Sequence, residues 1–269
     1  MSAEPVIIFT EQLNPDQEKQ LLALEAACRL HDGISLSAPA REPDTLHWLL
    51  YPSSRPAALA AALSLSLCGD EAAECTAFTL PEYRRRGYFS LLLDQALPQA
   101  GELDILFPVS NRCADALASL KALGAELESE ELQMELDITS LPLLSAAADN
   151  LSLHSEGGES TRTFTLMEEN SSAPAFLPAA GRVSGAIPLG RCQTSSAGPG
   201  SVCLHHVEIF PEFRGRGLGH AMMALLLNRL KASGVRRVLL QVSADNAPAL
   251  ALYKKTGFCM TQSLSFYLY

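Results

Sequence analysis

Apolar residues recur along this chain at two spacings, every third or fourth position in some stretches and in runs or alternation in others. The first marks helices and the second strands. Asn14, Pro15 and Gln17 open a stretch that runs through Cys28, and Gly33 follows. This pattern predicts a helix through Cys28 closed by Gly33, with Asn14 and Gln17 at capping-box spacing. Strands are predicted at 46–51, 59–67 and 74–80, then a helix beginning near Gly87 and a strand at 103–109. Residues 125–138 are long enough for two strands around a turn near Glu130. Residues 139–162, rich in Ser, Ala, Gly and Asp, read as a linker, most flexible at Glu156, Gly157 and Gly158. Further strands are predicted at 163–168, 181–193 and 202–209, with a turn at 194–200. No helical pattern of useful length stands between the linker and Val202, and Pro174 and Pro178 oppose one at 173–180. From Pro211 to Gly234 the chain reads as a strand end, a turn rich in arginine and glycine, and a long amphipathic helix. A buried strand follows around Val238–Val242. The next helix is capped by Asp245 or Asn246, with Pro248 in its first turn and Gly257 at its end.

The pattern repeats. PEYRRRG (Pro81 to Gly87) returns as PEFRGRG (Pro211 to Gly217), 130 positions later. VSNRCADALASLKALGA from Val109 returns as VSADNAPALALYKKTGF from Val242, 133 positions later. A repeat of this length is a duplicated domain rather than a solenoid unit. The reading is therefore a first domain at 1–138, a linker at 139–162 and a second domain at 163–269. The copies differ at three positions: Phe89, Leu120 and Cys113 in the first stand where Gly219, Tyr253 and Asn246 stand in the second. Leu120 cannot donate a proton, and Phe89 puts a ring where a glycine backbone is open. This assigns the chemistry to the second copy.

The turn Arg214, Gly215, Arg216, Gly217, Leu218, Gly219 has glycine at alternate positions, which frees the backbone and leaves room for a ligand. The helix after it begins with unpaired N–H groups at the positive end of its dipole. That combination holds phosphate. Its spacing, G-x-G-x-G, is not the dinucleotide fingerprint, and no acidic residue stands near Leu239 and Leu240 for a ribose. A Walker loop is absent from the sequence.

Arg214, Gly217 and Gly219 occupy the fixed positions of an R/Q-x-x-G-x-G/A signature, and NAPALALYKKTGF follows at the matching distance. Together these resemble the GCN5-related N-acetyltransferase (GNAT) superfamily over some 60 residues. The resemblance implies an α/β fold with a mixed sheet, here as two tandem GNAT domains. It implies acetyl-CoA as co-substrate and an amine acceptor, which attacks the thioester directly without a covalent enzyme intermediate. By the same resemblance, backbone groups of Val207, Glu208 and Ile209 meet the pantetheine and the acetyl carbonyl. The amides from Arg214 to Gly219 hold the pyrophosphate, Asn246 positions the cofactor or a water, and Tyr253 protonates the departing sulfur. Glu208 reads either as base or relay for the ammonium proton or as an ordinary polar residue alternating along a strand.

Composition narrows the partners. The formal charge of −10 argues against a nucleic-acid surface and is compatible with a cationic amine. Seven cysteines without a C-x-x-C pair read as reduced, as in the cytoplasm, and as core residues. No apolar run reaches the ~20 residues that span a membrane, so no membrane partner is expected. His205 and His206 are neighbours, so on a regular strand they would point to opposite faces and not share a metal; no metal is expected. Two further readings remain: a non-catalytic acyl-CoA sensor or scaffold, and a GNAT enzyme using a different acyl group.

Overall fold

The computed structural model describes residues 4–52, 58–67, 72–145, 150–158, 160–169 and 186–269. In chain order the first elements are β1 (Val6–Thr10), α1 (Pro15–Asp32), β2 (Thr45–Tyr51), β3 (Ala61–Ser66), β4 (Ala72–Thr79), α2 (Tyr88–Ala100), β5 (Asp104–Ser110) and α3 (Ala114–Leu123). Then come β6 (Glu126–Asp137), β7 (Leu151–Gly157), β8 (Thr161–Glu168), β9 (Ile187–Ser196), β10 (Ser201–Ile209), α4 (Leu218–Ala232), β11 (Arg237–Ser243), α5 (Ala247–Lys255) and β12 (Cys259–Leu268). They form two compact units, Met1–Glu130 with Gln262–Tyr269, and Glu131–Thr261.

In the first unit the strand order is β1-β2-β3-β4-β5-β12, antiparallel except for the parallel pair β4 and β5. Helices lie on both faces, because alternate residues of β2 point opposite ways. Leu49 packs with Ala62, Phe78 and the Leu21, Leu24 and Cys28 stripe of α1. Trp48 and Leu50 pack with Leu63, Leu65 and the Leu92, Leu93 and Ala96 stripe of α2. With both faces covered, all six residues of β3 are buried. Asn14 caps α1 as the spacing predicts: its Oδ1 accepts from Gln17 N at 2.9 Å while Gln17 Oε1 accepts from Asn14 N at 2.9 Å.

The second unit repeats the plan as β7-β8-β9-β10-β11-β6, with β10 and β11 parallel. Helix α4 buries Met222, Met223, Leu226, Leu227 and Leu230 in a core with Phe164, Leu166, Leu204, Val238, Leu240 and Phe258.

The sixth strand of each unit comes from the other half of the sequence. β6 follows α3 yet pairs with β11, from Arg237↔Asp137 to Ser243↔Glu131. β12 follows α5 yet pairs with β5, from Leu264↔Ser110 to Leu268↔Leu106. The compact units therefore divide differently from the expected 1–138, 139–162 and 163–269. Residues 125–138 hold one 12-residue strand, Glu126–Asp137, rather than two. Its glutamates do not force a turn, since Glu126 and Glu128 are exposed and stay solvated on the strand. The expected linker contains β7, and Gly157 pairs with Arg162 in a hairpin. A Cβ there would lie 2.6 Å from the Thr161 carbonyl oxygen, so this glycine serves a tight turn rather than a tether. The expectations for residues 173–180 and 181–185 lie outside the described residues.

Candidate functional site

In the second unit β10 and β11 pair only from Ser201↔Arg237 to Leu204↔Leu240. Both strands run on beyond that point, β10 to Ile209 and β11 to Ser243, so the parallel pair parts at its C-terminal end. Ligands of open α/β sheets bind at such strand ends.

A bulge sits where the strands part. His205 faces Gln193 and Glu208 faces Arg191, so three steps on β10 match two on β9. The extra residue bends the strand and re-aims the residues beyond it, and His206 takes a left-handed φ of 49°. Gly190 makes room, because a Cβ there would lie 2.4 Å from the Glu208 carbonyl oxygen. In the first unit β4 meets β3 in unbroken register from Ala61↔Thr79 to Ser66↔Glu74. The insertion is also visible in the numbering. Val202 pairs Val238 as Ala73 pairs Ile105, 129 positions apart at the strand start, whereas the prolines after it, Pro81 and Pro211, are 130 apart.

The bulge corrects the expectation for the two histidines. His205 Nε2 lies 2.7 Å from Ser195 Oγ, and His206 Nδ1 lies 3.2 Å from Gln193 Oε1. Gln193 and Ser195 are two apart on β9 and share a face, so both imidazoles reach the same face, with ring centroids 6.3 Å apart. The β9 partners and Gly190 carry no motif that would have flagged them. Glu208 pairs with Arg191 at 3.3 Å, both half-exposed. Val207 and Ile209 pack against the core of the unit.

Beyond β10 a single turn of 3₁₀-helix, Pro211–Phe213, leads into the arginine and glycine turn. Arg214 Nε donates to the Ile209 carbonyl at 2.9 Å and ties the turn to the strand end. Gly215 and Gly217 have φ of 77° and 75°, where a side chain is strained, and Gly217 caps α4. The first α4 amide to bond a Gly217 carbonyl is that of His220, at 3.1 Å. The N–H groups of Leu218 and Gly219 thus open the helix without intrahelical partners. Arg216 lies over the Phe213 ring at 5.9 Å. Gly219 answers a packing need: a Cβ there would come within 3.3 Å of Leu252 Cδ2 on α5.

Asn246 caps α5, its Oδ1 accepting from Ala249 N at 3.1 Å. Tyr253, one helical stretch later, is only 6 % exposed and packs against Phe258 at 5.7 Å between centroids. Burial, and then the neighbouring Cys192 thiol, push its phenol up to about 12. The phenol is thereby held in its protonated form.

The first unit keeps the outline and changes the chemistry. Gly87 has φ 77° and caps α2, but the position of Gly215 is taken by Arg85, held at φ 58°. Leu120 is buried in place of Tyr253. Phe89 sets its ring edge-on to Phe107, 6.2 Å away.

Among the described residues no group of three or more His, Cys, Asp or Glu is placed to hold a metal ion. No helix among them is long and apolar enough to cross a membrane.

The pattern known as the acetyltransferase (GNAT) family matches residues 145–258. A mycothiol acetyltransferase of Clavibacter michiganensis subsp. michiganensis (strain NCPPB 382) is 28% identical over 284 residues, 91% of this chain and 89% of the relative. One of Mycobacterium sp. (strain JLS) is 26% identical over 291 residues, 94% of each. In fold, the chain is similar to a GCN5-related N-acetyltransferase of Sphaerobacter thermophilus, at TM-score 0.68 and 15% identity, over 98% of this chain and 95% of the other. A tandem GNAT protein from the clavulanic acid biosynthesis pathway superposes at TM-score 0.67 and 16% identity, over 99% and 98%. Residues 145–258 thus carry the match to the GNAT family, the fold is like that of tandem GNAT proteins, and the near full-length similarity to mycothiol acetyltransferases supports an acetyl-CoA-dependent N-acetyltransferase.

Proposed function

We propose that the acceptor is a mycothiol-related amine and that the residues around the β10 bulge and the Gly215–Gly217 turn carry the reaction. The acceptor rests on the near full-length similarity to the two mycothiol acetyltransferases. The roles rest on one observation above all: a buried tyrosine, kept protonated, in the same unit as a left-handed glycine turn that opens a helix N-terminus.

The pyrophosphate of acetyl-CoA lies on the amides of the turn from Arg214 to Gly219, where helix dipole and N–H groups favour anions. Gly215 and Gly217 admit it because no Cβ stands between backbone and ligand. The pantetheine runs along the end of β10, and backbone groups at Val207 and Ile209 face the thioester, while Asn246 positions it from the start of α5. The neutral amine attacks the carbonyl carbon and forms the C–N bond. The oxyanion is held by main-chain N–H groups until it collapses and breaks the C–S bond. Tyr253 gives its proton to the departing thiolate. The extra proton of the new ammonium passes to Glu208, directly or through water, so the amine loses one proton and the sulfur gains one. The reading carries with it a cytoplasmic location, where free thiols such as those of Cys28, Cys113 and Cys192 stay reduced.

The test is turnover of the full chain with acetyl-CoA and a panel of mycothiol-related amines, aminosugars and peptide amino termini, with mass spectrometry of the acetylated product. Preferred acetylation of the mycothiol-related amine supports the assignment. Acetylation confined to the other amines would remove this acceptor and leave the transferase.

A further inference from the structure

The first unit encloses a cavity of about 560 Å³, the size of a small-molecule site. It opens where β4 and β5 part after pairing from Ala72↔Asp104 to Glu74↔Leu106. This is the counterpart of the cleft between β10 and β11, but its chemistry is inverted. Phe78, Tyr83, Tyr88, Phe89, Phe107 and Leu120 supply walls of rings and one aliphatic side chain. At its polar edge stands Arg84, the counterpart of Arg214, with the same Nε bond to the strand end, here to the Thr79 carbonyl at 3.1 Å.

The rest of that guanidinium is consumed. Nη1 and Nη2 donate to the two oxygens of Asp32 at 2.8 and 2.6 Å, and Nη1 also reaches Asp115 at 3.2 Å. Arg85 directs its own head to Asp115 at 3.1 Å. Two carboxylates and two guanidiniums thus balance each other at the cavity edge. Pro248 stands at the Asp115 position in the second copy, so this compensation is peculiar to the first. An anion drawn to the Arg84 head would have to break a bidentate, largely buried ion pair, which is strongly unfavourable. An uncharged ring system meets no such obstacle, and faces or edges of aromatic walls on several sides.

We infer that the cavity of the first unit is a binding site for an uncharged aromatic small molecule. The unit is then a second ligand site on the enzyme, distinct in chemistry from the transferase cleft.

The experiment titrates the full chain with N-phenyl-1-naphthylamine, an uncharged fluorophore brightened in apolar surroundings. One saturable site is expected, unaffected by millimolar acetyl-CoA or pyrophosphate. Two variants fill the cavity from different elements, Ala77→Phe on β4 and Ala116→Phe on α3. Each is expected to weaken the probe about tenfold or more, since a ring then occupies the ligand's volume, while the unfolding midpoint shows the chain still folded. Displacement of the probe by acetyl-CoA would overturn the proposal. So would unweakened binding in whichever filled variant remains folded.

Discussion

At the scale of single residues the proposed chemistry rests on Tyr253. Its phenol is driven up to about 12 by burial first and the Cys192 thiol second. The sign depends on which form burial penalises: the phenolate is disfavoured, so the donor stays protonated through the alkaline range. Its contribution to stability is fully present below the ordinary tyrosine value and is lost as pH rises through about 12. Replacing Tyr253 with Phe keeps the ring against Phe258 and removes the proton. We expect kcat to fall by ~10²–10⁴, the span of general acid catalysis, with KM for acetyl-CoA little changed. In the unmodified enzyme the pH profile of kcat should show no descending limb near the ordinary tyrosine value of about 10; a fall there that vanishes in Tyr253→Phe would contradict the burial argument. The place of Asn246 at the cap of α5 and of Tyr253 within that helix was legible in the sequence, because cap and helix signals are local. Their packing was not, since Cys192 and Phe258 reach Tyr253 from β9 and from the chain just after α5.

At the scale of elements, the proposed ligand contacts depend on the bulge in β10 and the turn before α4. Both depend on glycines for different reasons. Gly217 supplies a left-handed φ at the cap of α4, whereas Gly190 yields space to the displaced carbonyl of Glu208. Gly190→Ala should therefore cost about 1–3 kcal/mol through overpacking and raise KM for acetyl-CoA by shifting the strand end. Calorimetric unfolding and saturation kinetics check the two halves of that statement, and an unchanged KM beside lowered stability would separate the bulge from binding. The turn could be read directly, because alternating glycines after a strand have few other uses. The bulge could not, since one inserted residue looks like any strand residue. Only the change of repeat offset between the strand and the next proline marks it. The same insertion defeated the alternation rule at His205 and His206, which both reach β9 on one face.

At the scale of the whole molecule, the exchange of β6 and β12 makes the two copies something other than consecutive beads. A fragment of residues 163–269 lacks β6, so β11 loses the ladder from Arg237 to Ser243 and presents a bare edge. Residues 131–261 retain all six strands of their unit. Expression of both should give aggregation of the first and a soluble, cooperatively unfolding second; circular dichroism melts and size-exclusion chromatography read the difference. This exchange was invisible in the sequence because its pairings join residues a hundred or more positions apart, where no local spacing speaks. The duplication itself was plain, because whole motifs recur. The most direct measurement of the central claim is a calorimetric titration of the full chain with acetyl-CoA, beside variants carrying Gly217→Val and Gly219→Val. The account predicts one site, lost in the variants. Binding that survives both substitutions, or a second site on the unmodified chain, would contradict it.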